Sequence, residues 1–384
     1  MTDTVVVAGL TARPLAESAR RAGWEVIALD LFGDEDTRRA SCEWHCIGEP
    51  AALAIDPVRL HKALQRAATR RDVIGWIAGS GFEGIADALD LQVPGLPLLG
   101  MPAAAVRPVR DPASFFAVLD QLGLDHPEVS LRRPAVPTGW LVKSSWGAGG
   151  RHIRRAAQGR TGATMANAPG TYYQRLQPGE PMSALFLADG RHARLVALNR
   201  LVVRLLGNCP FVYSGAIGPI RDDALMQQVV QALASLVPAL GLRGLASLDF
   251  MAHAGRAWLL EVNPRPSASM VLHEAAWSGG LLKAHVRAVQ GELPAVPASH
   301  PPGVRGCRTL FAEGPCSIGT ILAGELARSG HCHDLPAAGT RFAAGEPVCS
   351  LSVEAPSAAA VMAALDRTAT QLARRLQASE ELAA

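Results

Sequence analysis

Two apolar segments, Leu248-Asp249-Phe250 and Leu260-Glu261-Val262-Asn263-Pro264-Arg265-Pro266, constrain this chain more than any other feature. Each reads as a strand, and His253-Ala254-Gly255-Arg256 between them carries the turn residues of a hairpin. Side chains two apart on a strand share a face, so Glu261 and Asn263 project together, and strand pairing brings Asp249 to the same surface. A solvent-facing hairpin edge is the plainer alternative. The apolar contexts count against it, because a carboxylate set among Leu, Phe and Val needs a partner. Three hard oxygen ligands converging in this way suit Mg²⁺ held against nucleotide phosphates. Arg265, two residues on, can steady charge on a transferring phosphoryl group. The arrangement points to an ATP-dependent enzyme.

Upstream segments supply complementary chemistry. Lys143 ends the apolar run Trp140-Leu141-Val142-Lys143, just ahead of Gly147-Ala148-Gly149-Gly150. Glycines let backbone amides approach phosphate oxygens, and the lysine adds a compact charge; a plain hairpin turn is the alternative. Gln174-Arg175-Leu176, followed by Gly179-Glu180, can offer backbone groups to an adenine edge and a carboxylate to ribose hydroxyls. Gly79-Ser80-Gly81-Phe82-Glu83-Gly84 formally satisfies a dinucleotide pattern, but it follows the third strand and lacks the later acidic residue. A backbone-lined substrate loop at Ser80 and Gly81 is the better use. Ser267 and Ser269, just past the second strand of the hairpin, are placed to touch an acceptor. His331-Cys332-His333-Asp334 and Cys42-Glu43-Trp44-His45-Cys46 invite a zinc reading, yet neither has a second pair at ligand spacing. They read as ordinary loop or strand residues.

The first hundred residues alternate strand and helix: strands at 5–8, 24–29 and 73–78, a turn and helix over 9–22 and a helix at 57–69. That pattern argues a small parallel-sheet domain. Phe115, Phe116, Leu119 and Leu122 predict an amphipathic helix over 111–122. Strands are expected at 171–176, 182–187, 193–203 and 257–262, with a long helix at 223–240. Pro294, Pro297, Pro301 and Pro302 mark a boundary, and a terminal helix over 357–376 has Ser357 as its candidate N-cap. With 384 residues, 49% hydrophobic and 18% charged, the chain suits a globular enzyme of several small domains. The net charge of +3 is spread along the chain, and the pairs Arg20-Arg21, Arg70-Arg71 and Arg132-Arg133 read as solvated faces, so no nucleic-acid partner is expected. No segment reaches the roughly 20 apolar residues of a membrane span, and no signal peptide is visible, so a cytoplasmic protein without a membrane partner is expected. The seven cysteines read as free thiols.

Taken together, these pieces resemble the ATP-grasp superfamily of carboxylate–amine/thiol ligases and their carboxylase relatives, over nearly the whole chain. More narrowly, Gly79 through Glu83, Arg110-Asp111-Pro112, Trp140 through Lys143 and Gly339 through Ser350 are similar to predicted ATP-dependent carboligases related to biotin carboxylase. Some members of that branch occur with methanopterin- or methanofuran-type cofactor biosynthesis. The resemblance implies an α/β (α+β) ATP-grasp fold in three parts. These are a Rossmann-like pre-ATP-grasp domain (1–102), a two-lobed ATP-grasp domain (103–295) and a small β-rich C-terminal domain with a terminal helix (296–384).

It also implies site roles. Lys143 with Gly147, Gly149 and Gly150 would cover the ATP phosphates, and Gln174, Arg175 and Leu176 would form the adenine hinge. Glu180 would bind ribose, Asp249, Glu261 and Asn263 would hold Mg²⁺ (with Mn²⁺ as a substitute), and Arg265 would stabilise an acyl-phosphate step. Arg110 stands where many relatives have a first nucleotide-binding lysine, and it presents a planar fork instead. The expected activity joins a small-molecule carboxylate, with glutamate as one guess, to an amine in one-carbon cofactor assembly; a homodimer is the default assembly. A bicarbonate-activating carboxylase and an inactive nucleotide-binding scaffold are the rivals.

Overall fold

The computed structural model describes residues 2–157, 168, 170–297 and 302–381; Pro301 of the expected linker lies outside them. The chain begins with β1 (Thr4–Ala8), α1 (Arg13–Arg21), β2 (Glu25–Asp30), α2 (Glu35–Arg39), β3 (Glu43–Cys46), α3 (Pro57–Ala67) and β4 (Val73–Ala78). The strands form a parallel sheet in the order β3-β2-β1-β4. Every residue of β1 is buried, which a strand covered on both faces requires. Val6 and Ala8 join Leu60 and Leu64 of α3 in one core, while Val5 and Val7 join Leu15 and Ala16 of α1 in another.

Two helices lead out of this domain, α4 (Ala103–Arg110) and α5 (Pro112–Gln121). Asp111 caps α5 by accepting from the Ser114 amide at 2.9 Å. A small antiparallel lobe follows, built from β5 (Val129–Ser130), β6 (Trp140–Ser144), β7 (Arg154–Arg155) and β8 (Thr171–Arg175) in the order β5-β8-β6-β7.

The rest of the chain builds one large sheet. Its elements are β9 (Glu180–Asp189), β10 (Ala193–Leu206), β11 (Cys209–Ile220), α6 (Asp223–Leu240), β12 (Arg243–His253), β13 (Arg256–Asn263), α7 (Gly280–Val289), β14 (Val304–Phe311), α8 (Thr320–Arg328), β15 (Cys332–His333), β16 (Pro347–Ala355) and α9 (Ala358–Glu381). The strand order is β13-β12-β9-β10-β11-β14-β16-β15. The sheet therefore runs straight across the expected boundary at 295/296. Gly215 explains how β11 and β14 come so close, since a Cβ there would sit 2.0 Å from the Cys307 carbonyl oxygen. Val361, Leu365, Leu372 and Leu376 of α9 close the core over this end of the sheet.

The parallel domain is fastened to the large sheet by buried polar contacts. His285 on α7 accepts from the Leu245 amide of β12 through Nδ1 (2.8 Å) and donates from Nε2 to the Leu99 carbonyl (2.8 Å). Burial, opposed by the bond to Leu99, lowers its pKa to about 4, and the accepting role of Nδ1 requires a neutral ring. Between the unfolded value of about 6.5 and the folded value, only the unfolded state takes up the proton, so stability falls as pH falls. Denaturant unfolding of the wild type should lose about 3 kcal/mol more between pH 7 and pH 4 than that of His285→Gln. Equal pH dependence in the two proteins would show that His285 is not the titrating joint.

Candidate active site

The hairpin read from the sequence is present as β12 and β13, with Asp249 opposite Glu261 and Ser247 opposite Asn263. A register shift just after Asp249 turns the strand locally. Ser183 of β9 lies opposite Asp249 on its other side and bonds its carboxylate, so the acid is flanked on both neighbouring strands. Asn263 Nδ2 donates to Asp249 Oδ2 at 3.0 Å. Desolvation, then repulsion from Glu261, raises the Asp249 carboxyl to about 7, against the opposing pull of Ser183, Arg265 and Asn263. The two carboxylates repel one another across the strand pair. Hard oxygen donors so arranged fit a divalent cation such as Mg²⁺.

Lys143 is buried and donates from Nζ to Gln174 Oε1 at 2.5 Å. Burial lowers its pKa, and the fields of Glu261 and Asp249 pull it back up, so the lysine stands within electrostatic reach of both acids. Arg110 holds the base of the glycine loop, donating to the Ser145 carbonyl (3.0 Å from Nε) and to the Gly147 carbonyl (2.8 Å). Its Nη1 stands 3.7 Å from Glu261. Gly150, at φ +73°, packs so tightly on β11 that a Cβ would fall 1.8 Å from the Phe211 carbonyl oxygen. The Gly149 carbonyl accepts from the Tyr213 amide at 3.0 Å, so the loop is docked on the large sheet. A Cβ at Gly147 would strike the ring of His152, whose pKa burial lowers to about 4. Nothing in the local sequence pattern marks His152 for this place.

Arg265 is held from the parallel domain. Its Nε donates to Glu83 Oε1 at 2.9 Å, and Nη2 donates to Asn263 Oδ1 at 3.3 Å. Burial alone would push the Glu83 carboxyl up, but Arg265 and Arg110 hold it below the usual range. Glu83 also accepts from the Gly81 amide at 2.7 Å, and the Ser80 carbonyl accepts from Leu10 at 2.8 Å. The Gly81 amide and the Ser80 carbonyl thus shape the loop, and Glu83 is the residue by which it reaches Arg265. Sequence reading quoted Glu83 without a role; its partner lies 182 residues away.

Other expected positions differ in detail. The amides of Arg175 and Leu176 donate to the carbonyls of Glu128 and Gly139, both at 2.8 Å, which leaves carbonyl groups rather than these amides for an adenine edge. The Arg175 side chain is exposed and lies over the Trp140 ring. Glu180 pairs with Arg200 at 2.5 Å. Ser267 and Ser269 are buried and bonded to each other at 3.0 Å, while Ala268 between them faces a cavity of about 910 Å³. Arg13, Tyr213, Cys307 and Asp334 also line this cavity, at the junction of the parallel domain, the large sheet and its C-terminal strands.

A small antiparallel lobe and a glycine loop are set over a carboxylate-bearing sheet. Residues 109–269 match the model of the ATP-grasp domain, and the chain carries that domain. Among curated proteins none matches significantly. Solved structures with the same fold include the biotin carboxylase domain of Hydrogenobacter thermophilus 2-oxoglutarate carboxylase, in complex with MgADP, ADP and bicarbonate. It is 14% identical with a TM-score of 0.72, covering 93% of this chain and 87% of that one. The N5-carboxyaminoimidazole ribonucleotide synthetase of Thermus thermophilus is 17% identical with a TM-score of 0.65, covering 95% and 97%. The ATP-bound carboxyaminoimidazole ribonucleotide synthase of Aspergillus clavatus is 15% identical with a TM-score of 0.71, covering 98% and 99%. Among the described residues, no helix is long and apolar enough to cross a membrane.

Removing one partner of a buried ion pair strands the other charge. Glu83→Ala is therefore expected to cost about 3 kcal/mol in urea unfolding and to lower turnover, because Arg265 loses its brace. Unchanged stability would show that the pair is not a structural joint.

Proposed function

We propose that this protein is an ATP- and Mg²⁺-dependent carboxylate–amine ligase that forms an amide through an acyl phosphate. The observation that carries the proposal is the Asp249–Glu261 pair on adjacent strands, with Arg265 beside it and Lys143 in its field. Asp249, Glu261 and Asn263 would hold Mg²⁺, or Mn²⁺ in its place; when bound, the ion neutralises charge on the nucleotide phosphates.

Lys143 and the backbone of 147–150 bind and orient those phosphates, with Arg110 fixing the loop. A carboxylate oxygen of the first substrate attacks the γ-phosphorus and ADP leaves. Arg265, oriented by Glu83, faces the negative charge that builds on the reacting oxygens. The amine nitrogen then attacks the acyl carbon, phosphate departs, and the nitrogen gives up its proton. Contact between the glycine loop and β11 shields the acyl phosphate from water. Such chemistry needs no protein nucleophile. The 910 Å³ cavity beside Ala268 and Tyr213 is the acceptor's berth in this reading.

Glutamate as a substrate and a place in one-carbon cofactor assembly rest on motif resemblance alone. A cytoplasmic homodimer is proposed alongside, supported by the dimeric carboxylase domain from Hydrogenobacter thermophilus. A second reading makes bicarbonate the activated carboxylate. It is favoured by the carboxylase domain solved with bicarbonate and by the carboxyaminoimidazole synthetases.

A screen of ADP release with Mg²⁺, amino acids, amines and bicarbonate separates these readings. Release that needs both a carboxylate and an amine supports amide formation, and strict dependence on bicarbonate transfers the assignment to carboxylation. Glu261→Gln should lower turnover about 100-fold or more in either case. Wild-type turnover by that variant would contradict the metal assignment.

A further inference from the structure

Two cysteines meet at the edge of the large sheet, in a place the proposed phosphoryl chemistry does not use. Cys332 on β15 lies opposite Leu351 on β16, so Cys349, two residues back along β16, is its diagonal neighbour on the same face. Cys349 belongs to the core beneath α9 and Cys332 packs against that core, near enough for each thiol to shift the other's titration. The two sulfurs have different surroundings. Cys349 is 2% exposed in the core beneath α9, whereas Cys332 is only partly buried.

The asymmetry gives each thiol a chemical role. Cys349, helped by Ser329 and His331 and opposed by burial, lowers the Cys332 thiol to about 6. The Cys349 thiol is pushed well above its ordinary value by Cys332 and by burial. An accessible thiolate beside a buried, protonated thiol is an attacking and resolving pair.

We propose that Cys332 and Cys349 are a peroxide-responsive dithiol that closes to an intramolecular disulfide between β15 and β16. The Cys332 thiolate attacks one oxygen of hydrogen peroxide and the O–O bond breaks, giving a sulfenic acid and, after protonation, water. The Cys349 sulfur then attacks the sulfenic sulfur, the S–O bond breaks, the Cys349 proton passes to the leaving oxygen, and a second water departs. Two thiols are oxidised by two electrons, and one peroxide is reduced to two waters.

Diagonal neighbours in a regular antiparallel pair have Cα atoms about 7–8 Å apart. A disulfide needs less than about 7 Å, so closing it draws β15 inward. β15 can move because it is a two-residue edge strand followed by Asp334 at φ +54°, a conformation that disfavours a side chain. The shift reaches the cavity, because Cys349, His333 and Asp334 all line it. It also reaches the parallel domain, since Asp334 accepts from Arg13 at 2.7 Å and its amide donates to Asp36 at 2.8 Å.

The test uses the full reduced chain, treated near neutral pH with one equivalent of hydrogen peroxide, then alkylated and digested without reductant. Mass spectrometry should find the Cys332 and Cys349 peptides joined with the loss of two hydrogens, before exposed Cys42 is oxidised, and dithiothreitol should reverse the link. Cys349→Ser should leave Cys332 as a sulfenic acid that dimedone traps, and Cys332→Ser should leave Cys349 unreacted. Oxidation of Cys42 first, or of Cys332 in the wild type without a linked peptide, would overturn the proposal; neither result depends on a variant folding.

Discussion

The confrontation of Asp249 with Glu261 organises this molecule. Strand pairing fixes the two carboxylates side by side, Asp249 set among apolar strand residues and desolvated, Glu261 partly open to solvent. Folding does not reward that arrangement. Like charges on adjacent strands disfavour the sheet, and burial adds to the cost. The surroundings make it tolerable through Ser183 and Asn263 hydrogen-bonded to Asp249, Lys143 and Arg110 on the far side, and Arg265 at the end of the row. The like charges are thereby balanced by cationic side chains at the rim while the two carboxylates themselves stay adjacent.

Holding such a centre requires rigidity from several directions, and the fold supplies it through joints between distant segments. The parallel domain reaches the site through Glu83 and Arg265. It grips α7 through Ser18 and Glu274, whose bond of 2.6 Å is buried, and it meets the C-terminal strands through Arg13 and Asp334. The glycine loop is tied at its base by Arg110 and at its tip by the Tyr213 amide. The small lobe, the cavity and the Asp249–Glu261 row are thereby coupled parts of one frame.

Much of this was legible in the sequence, and the boundary of legibility has physical causes. Local periodicity placed β1, β2, β4, α5 and the β12–β13 hairpin, because each is decided by side chains a few residues apart. The gathering of Asp249, Glu261 and Asn263 followed from the same local logic. Contacts between segments far apart in the chain escaped it: Glu83 as the brace of Arg265, Ser183 beside Asp249, and the pairing that merges β14 and β16 into the large sheet. The strand β11 was missed because Pro210, Gly215, Gly218 and Pro219 read as breakers, whereas Gly215 is there to admit the backbone of β14. The amides of Gly81, Arg175 and Leu176 carried functional expectations, but the Glu83 carboxylate holds the first and backbone carbonyls hold the other two, since a free amide and a bonded one look alike in sequence.

The decisive measurement is thermal stability of the wild type and Asp249→Asn at pH 8, with and without Mg²⁺ and a non-hydrolysable ATP analogue. The amide keeps the size and much of the hydrogen bonding of the acid while removing the repulsion from Glu261. If adjacent like charges make a seat for a cation, the variant alone should melt above the wild type, and the Mg²⁺-dependent gain expected of the wild type should vanish from it. A variant that melts lower yet keeps the full Mg²⁺-dependent gain would contradict the account.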